Sequence, residues 1–196
     1  MIYDSEICVI GRAKGFGGAV MRGMKVSHCG ITQLNTEAIV NAANERLQAG
    51  GGVCGAIFEA AGIRQLKEAC DKIGHCDTGE AVITPGFNLN AKYIIHAVGP
   101  RWKDGKSGEI ELLYSAYYTA LELAVKNNCK SIGFPLISSG IFGCPYDHAW
   151  ETAIAACRDF QDEHPDQEIS IVFAIPDDEI MEFGEVMLDT MGLLIW

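Results

Sequence analysis

Three glycines in a row, Gly50-Gly51-Gly52, constrain this chain more than any other stretch. Glycine loses the most backbone freedom on folding and brings no side chain to pack. A triple is tolerated where the backbone must take positive φ or approach something closely. Here it lies in residues 41–55, NAANERLQAGGGVCG, after the apolar run Ala38-Ile39-Val40 and before helical spacing that starts at Val53. Strand, glycine turn and helix start together aim unpaired backbone N–H groups at an anion. An ordinary flexible loop reads equally well from the glycines alone. A second loop of the same build shifts the balance. Residues 131–137 read as a buried strand that runs into Ser138-Ser-Gly-Ile-Phe-Gly-Cys-Pro145, and a helix follows. In open α/β sheets ligands sit beyond the carboxyl ends of strands. Two such loops on neighbouring strand ends make a cleft floored by amides, which suits a diphosphate.

The rest of the chain supplies the sheet. Short apolar runs predict strands at 24–26, 38–42, 80–84, 92–98, 131–137 and 169–175. Helical spacing runs from Val53 to a stop at Gly62 and repeats over 63–73 with Gly74 as its stop. Further helices are expected at 109–128, from Pro145 to about 161, and over 177–191 with Asp177 or Asp178 as cap. In the first of these, Ile110, Leu113, Tyr114, Tyr117, Leu121 and Ala124 form a stripe that reads as core. Strands alternating with helices imply a mostly parallel sheet covered on both faces. Residues 24–196 therefore read as one domain. Residues 1–23 read as an N-terminal extension or edge strand: a short strand at 7–10, then a connector with glycines at 11, 15, 17, 18 and 23. Neither a GxGxxG in the right frame nor a Walker lysine is present there.

Composition removes several functions. An apolar share of 48% argues against disorder, and no apolar stretch is long enough for a membrane span. A net charge of −11 argues against binding a nucleic-acid backbone, but not against a phosphate held by main-chain N–H groups. The eight cysteines are scattered without a CxxC pair, so neither a metal site nor any cofactor is signalled. The N-terminus has no basic region before an apolar run. Free thiols and a cytoplasmic location are expected.

Four motifs, in order, resemble the macrodomain family: Ile39-Val-Asn-Ala-Ala-Asn44, Gly50-Gly-Gly-Val-Cys-Gly-Ala-Ile57, Ala91-Lys-Tyr-Ile-Ile-His-Ala-Val-Gly-Pro100 and Phe134-Pro-Leu-Ile-Ser-Ser-Gly-Ile-Phe-Gly143. The resemblance covers residues 24 to 180. It implies a three-layer αβα sandwich with a mixed, mostly parallel central sheet. Its implied ligand is ADP-ribose, free or carried by a macromolecule, and its implied activity is hydrolysis of ADP-ribosyl or O-acyl-ADP-ribose linkages. A non-catalytic ADP-ribose reader is the alternative. Another phosphorylated nucleotide as the ligand is a third reading.

By position, the resemblance puts Gly51, Gly52, Val53 and Cys54 along the diphosphate and distal ribose. Ser138, Ser139, Gly140, Ile141 and Phe142 close over the diphosphate through backbone N–H groups, with Phe142 against the distal ribose. Asn44 matches the asparagine that holds the distal ribose hydroxyls in hydrolytic members; otherwise it bonds its own turn. Asn41 and His96 read as structural residues of buried strands. Three departures stand out. Gly30 replaces an aspartate that accepts from the adenine amino group, leaving backbone around Gly30 and Ile31 to read the base. Residues 174–177, Ala-Ile-Pro-Asp, lack the aromatic often stacked on adenine. Cys54 replaces an aspartate base, and reads as a thiol activated by the helix N-terminus or as a small wall residue. Cys54 and Cys144 both flank the expected cleft, so modifying them should impair binding.

Overall fold

The computed structural model describes residues 23–195. The expectations for residues 1–22 lie outside the described residues. Six strands form one sheet: β1 (Met24–Ser27), β2 (Ala38–Ala42), β3 (Ala81–Pro85), β4 (Tyr93–Ala97), β5 (Ser131–Phe134) and β6 (Ser170–Ala174). Their order is β1-β6-β5-β2-β4-β3. All neighbours are parallel except β3 with β4. The outer edge of β1 is occupied by residues 193–195: the Met24 amide donates to the Leu193 carbonyl at 2.8 Å and the Ile195 amide to the Met24 carbonyl at 2.9 Å.

Helices α1 (Gly52–Ala61), α2 (Ile63–Ile73), α3 (Glu109–Lys126), α4 (Tyr146–Glu163) and α5 (Asp178–Thr190) cover the sheet. Side-chain alternation along the strands shows the layering. Ala38 and Val40 of β2, Ile95 and Ala97 of β4, and Ile171 and Phe173 of β6 join Leu113, Tyr117, Trp150 and Leu188 of α3, α4 and α5 in one core. The residues that alternate with them, Ile39, Ile94 and Val172, join Ile57, Phe58 and Leu66 of α1 and α2 in the other. The sheet is thus the middle of three layers.

Local chemistry sets the boundaries. Gly62 at φ 98° separates α1 from α2, and Gly74 at φ 84° ends α2. Asp177 caps α5 by accepting from the Ile180 amide at 3.0 Å. Strand β5 is three residues shorter than its apolar run, because Pro135 has no N–H for the ladder. The chain beyond is held instead by Tyr117 of α3, whose hydroxyl donates to the Pro135 carbonyl at 3.3 Å and accepts from the Ile137 amide at 2.8 Å. The buried face of α3 is Leu113, Ala116, Tyr117, Ala120, Leu121 and Ala124. Ile110 is 38% exposed, so the stripe begins one turn later than its sequence suggests.

Candidate functional site

Because β1, β6, β5 and β2 are parallel neighbours, the segments that follow them emerge along one edge of the sheet. Gly30 and Ile31 follow β1, Ile175 and Pro176 follow β6, Ser138–Phe142 follow β5, and Asn44–Cys54 follow β2. The two glycine loops touch. A Cβ on Gly51 would lie 3.3 Å from Cδ1 of Ile141. Ile141 is 74% exposed, so it spans the outer lip of the gap instead of filling it.

Both loops present amides. Helix α1 has no side-chain cap at Gly51, so the N–H groups of Gly52, Val53 and Cys54 lack an intrahelical or capping partner. Gly52 sits at φ 59°, a conformation glycine adopts without strain. In the second loop the amides of Gly140, Ile141 and Phe142 have no acceptor among the described residues. Ser138 holds φ 65°, costly for a residue with a Cβ. The structure over-determines it: the Ser138 hydroxyl donates to the Pro100 carbonyl and the Ser139 hydroxyl to the Leu136 carbonyl, each at 2.8 Å, and the Cys144 amide donates to the Ser138 carbonyl at 2.9 Å. The serine side chains therefore tie down the loop, while the amides of Gly140, Ile141 and Phe142 stay without an acceptor among the described residues.

Gly99 is the floor under that loop. A Cβ there would come within 2.3 Å of Ser138 Oγ and 2.5 Å of Ile137 Cγ2, both buried. Gly99→Ala is expected to cost about 2 kcal/mol by overpacking and to shift the loop. Urea unfolding checks the first effect. A variant as stable as wild type would show that the loop yields freely.

Asn44 bonds its own turn. Its Nδ2 donates to the Gln48 carbonyl at 2.7 Å and its Oδ1 accepts from the Gln48 amide at 3.2 Å. An amide side chain can make about four hydrogen bonds, so one N–H and one lone pair remain. Beneath it lies a polar group on the α1–α2 side of the sheet. Asn41 Nδ2 lies 3.0 Å from His96 Nδ1 and 3.7 Å from Cys54 Sγ; Thr84 Oγ1 lies 2.9 Å from His96 Nε2. Donation by Asn41 leaves the His96 proton on Nε2, facing Thr84. His96 is fully buried, and burial pushes its imidazole down to about 4. It is a neutral core histidine with both nitrogens paired. Asn41 Oδ1 has no partner.

Cys54 is buried, and its thiol also reaches the Gln48 carbonyl at 3.6 Å. It packs with Ile57 and Phe58 as a wall residue. Cys144 is buried too, and burial pushes its thiol up to about 11, so both flanking thiols are shielded from reagents. After β1, the Gly30 amide is taken by Gln33 Oε1 at 2.7 Å, and the Ile31 side chain is buried beside α1. Of that pair only the Ile31 amide is without an acceptor among the described residues. His28 sits there with Nε2 3.0 Å from the Pro176 carbonyl and 3.2 Å from Asp178. Phe142 carries an unforeseen neighbour, the Arg101 guanidinium, 4.5 Å above its ring. The available signal was a cation directly after Gly99-Pro100 at a strand end.

An open groove of about 440 Å³ lies elsewhere, between α2 and the edge strand β3, lined by Lys72, Ile73, Pro85 and Phe87 among others. It contains none of the loop residues. Among the described residues no cluster of His, Cys, Asp and Glu could hold a metal ion, and no helix is long and apolar enough to cross a membrane.

Comparison with known proteins identifies the family. The Macro domain family model matches residues 40–153. A protein of Escherichia fergusonii named O-acetyl-ADP-ribose deacetylase is 49% identical over 168 residues, covering 83% of this chain and 93% of that one. An uncharacterised protein of Fusobacterium nucleatum is 52% identical over 136 residues, covering 69% and 77%. The solved Oceanobacillus iheyensis macrodomain with ADP superposes with a TM-score of 0.81 at 34% identity, covering 89% of this chain and 94% of that one. The Trypanosoma brucei macrodomain in complex with ADP-ribose gives 0.79 at 36% identity, covering 87% and 71%. With its four parallel strand ends and paired amide loops, this chain belongs to the macrodomain family.

Proposed function

We propose that the domain formed from residue 24 onward lays the diphosphate of ADP-ribose between the α1 amides and the Gly140–Phe142 amides, and hydrolyses an ester on the distal ribose. The observation that carries this is the contact of Gly51 with Ile141, which joins two sets of unpartnered N–H groups into one strip. Such a strip binds a doubly charged diphosphate without a cation. The similarity to a protein named O-acetyl-ADP-ribose deacetylase supports an O-acyl or ADP-ribosyl carboxylate ester as substrate.

No residue in the strip is a carboxylate, and the Cys54 thiol is buried. Catalysis then rests on position and field. Asn44 uses its spare N–H and lone pair on the distal ribose hydroxyls. A water held against the substrate's own phosphate attacks the ester carbonyl carbon, and the acyl–oxygen bond breaks to release the carboxylic acid and leave a proton on the ribose oxygen. The amides stabilise the charge that develops. The lack of a protein base also supports the second reading, a reader that binds without turnover. The seven described cysteines are free thiols, which suits a cytoplasmic setting.

The deciding experiment follows release of ADP-ribose from O-acetyl-ADP-ribose and from a glutamate-linked ADP-ribosyl peptide, alongside calorimetry with ADP-ribose. Turnover of either ester is expected. Binding without turnover of either would establish the reader, and tighter binding of ADP than of ADP-ribose would remove both readings.

A further inference from the structure

Arg101, Lys103 and Lys106 lie within six residues of one another in the loop after β4, in a chain of net charge −11. All three are exposed. Arg64, Lys67, Lys92 and Arg158 each meet a carboxylate, whereas these three are among the described cations that meet none, and they share one loop. Of the surface acids around them, Glu151 faces His148 at 3.7 Å and two others accept local hydrogen bonds. Asp104 accepts from the Lys106 amide at 3.0 Å and from the Ser107 hydroxyl, and Asp147 accepts from the His148 amide at 2.8 Å.

The basic loop is also built rigidly. Glu109, 3% exposed, accepts from the amides of Lys103 at 3.1 Å, Asp104 at 3.3 Å and Ser107 at 2.7 Å. Burial pushes its carboxyl up, but these N–H groups outweigh that and leave it below the usual range, so an ionised carboxylate anchors the loop. Trp102 stacks on His148 at 5.4 Å between centroids, and the backbone of Gly105 lies against its indole. The Trp102 amide donates to the Phe142 carbonyl at 2.8 Å, while Arg101 covers the Phe142 ring. The loop is thereby fixed to Phe142, which the function proposed above sets at the distal ribose, and its ordering entropy is spent before any partner arrives.

Resting on the function proposed above, we propose that the 101–106 loop docks the acceptor polypeptide of an ADP-ribosylated protein and selects segments with carboxylates beside the modified residue. With Phe142 against the distal ribose, as that function sets it, whatever is esterified there leaves the cleft past Phe142 and so past Arg101. Three unpaired cations match a short acidic segment. They are too few to hold a nucleic-acid backbone against the repulsion of so acidic a chain.

Calorimetry tests this with free ADP-ribose and two non-hydrolysable ADP-ribosylated peptides, one flanked by glutamates and one by serines. The acidic peptide is expected to bind wild type about fivefold more tightly at low salt, as for a few exposed ion pairs. The preference should vanish near about 0.5 M salt, where screening is strong. In a Lys103→Glu/Lys106→Glu variant the preference is lost while affinity for free ADP-ribose stays as in wild type. Equal affinity of wild type for the two peptides overturns the inference and leaves the proposed function standing. So does tighter binding of an ADP-ribosylated oligonucleotide than of the acidic peptide. No binding of ADP-ribose itself overturns both.

Discussion

Asn44→Ala is expected to lower kcat for release of ADP-ribose by about a hundredfold, the usual loss when one oriented hydrogen-bonding group leaves a polar active site. The structure adds a complication that decides the control. Asn44 also holds its turn through Gln48, in both directions. Alanine therefore removes two local bonds as well, at a stability cost of about 1–2 kcal/mol. Asn44→Asp loses the ribose donor as well and keeps only half of the turn: its carboxylate still accepts from the Gln48 amide but cannot donate to the Gln48 carbonyl, and it adds charge beside the phosphates. If the role is catalytic, turnover falls in both variants far beyond any loss of folded protein, while in the alanine variant binding of ADP-ribose changes far less. If Asn44 serves the turn alone, activity in each variant follows the folded fraction read by circular dichroism. Full activity in a folded alanine variant would end the assignment.

Acid should destabilise this protein through His96. The folded imidazole titrates near about 4 because it is buried, against 6.5 for the free side chain. Its folded value is depressed, so the neutral form is stabilising. That contribution is complete above 6.5 and is lost as pH falls towards 4, because the unfolded chain takes up the proton first. The window is worth about 3 kcal/mol. Urea unfolding at several pH values between 7 and 4 measures it, with His96→Gln as the variant that cannot titrate. The variant should start less stable, since Asn41 and Thr84 lose a partner, but it should lose about 3 kcal/mol less on acidification. Parallel pH curves for the two proteins would place the histidine in a more solvated setting than its burial indicates.

Much of the architecture was legible where one residue decides a boundary. Gly62 and Gly74 bracket α2 in sequence as in space, because only glycine takes their positive φ cheaply. Strand β2 was read to the residue, since its apolar run is too short for a helix and ends at Asn41-Ala42. The misreadings were tertiary. Pro135 could have warned that β5 stops early, but nothing local shows that a tyrosine hydroxyl from α3 takes over the backbone bonds. Ile110 fits a helical stripe, yet α3 turns it towards solvent. In the site, the loops were visible because glycine and small polar residues mark them. Their coupling was not. Gln33 claims the Gly30 amide, Arg101 covers Phe142, and Glu109 gathers three amides of its loop, all through contacts that no periodicity records.

The pairing of residues 193–195 along β1 has a consequence for solubility. A sheet's outermost strand is a template on which another chain can add, and here that template is already in use on one side. On the other side β3 pairs only with β4 and ends in Pro85, which supplies no N–H at that tip. One margin is thus paired and the other lacks a donor at its end, so a second copy finds less edge to extend, in a protein whose net charge of −11 already sets copies apart.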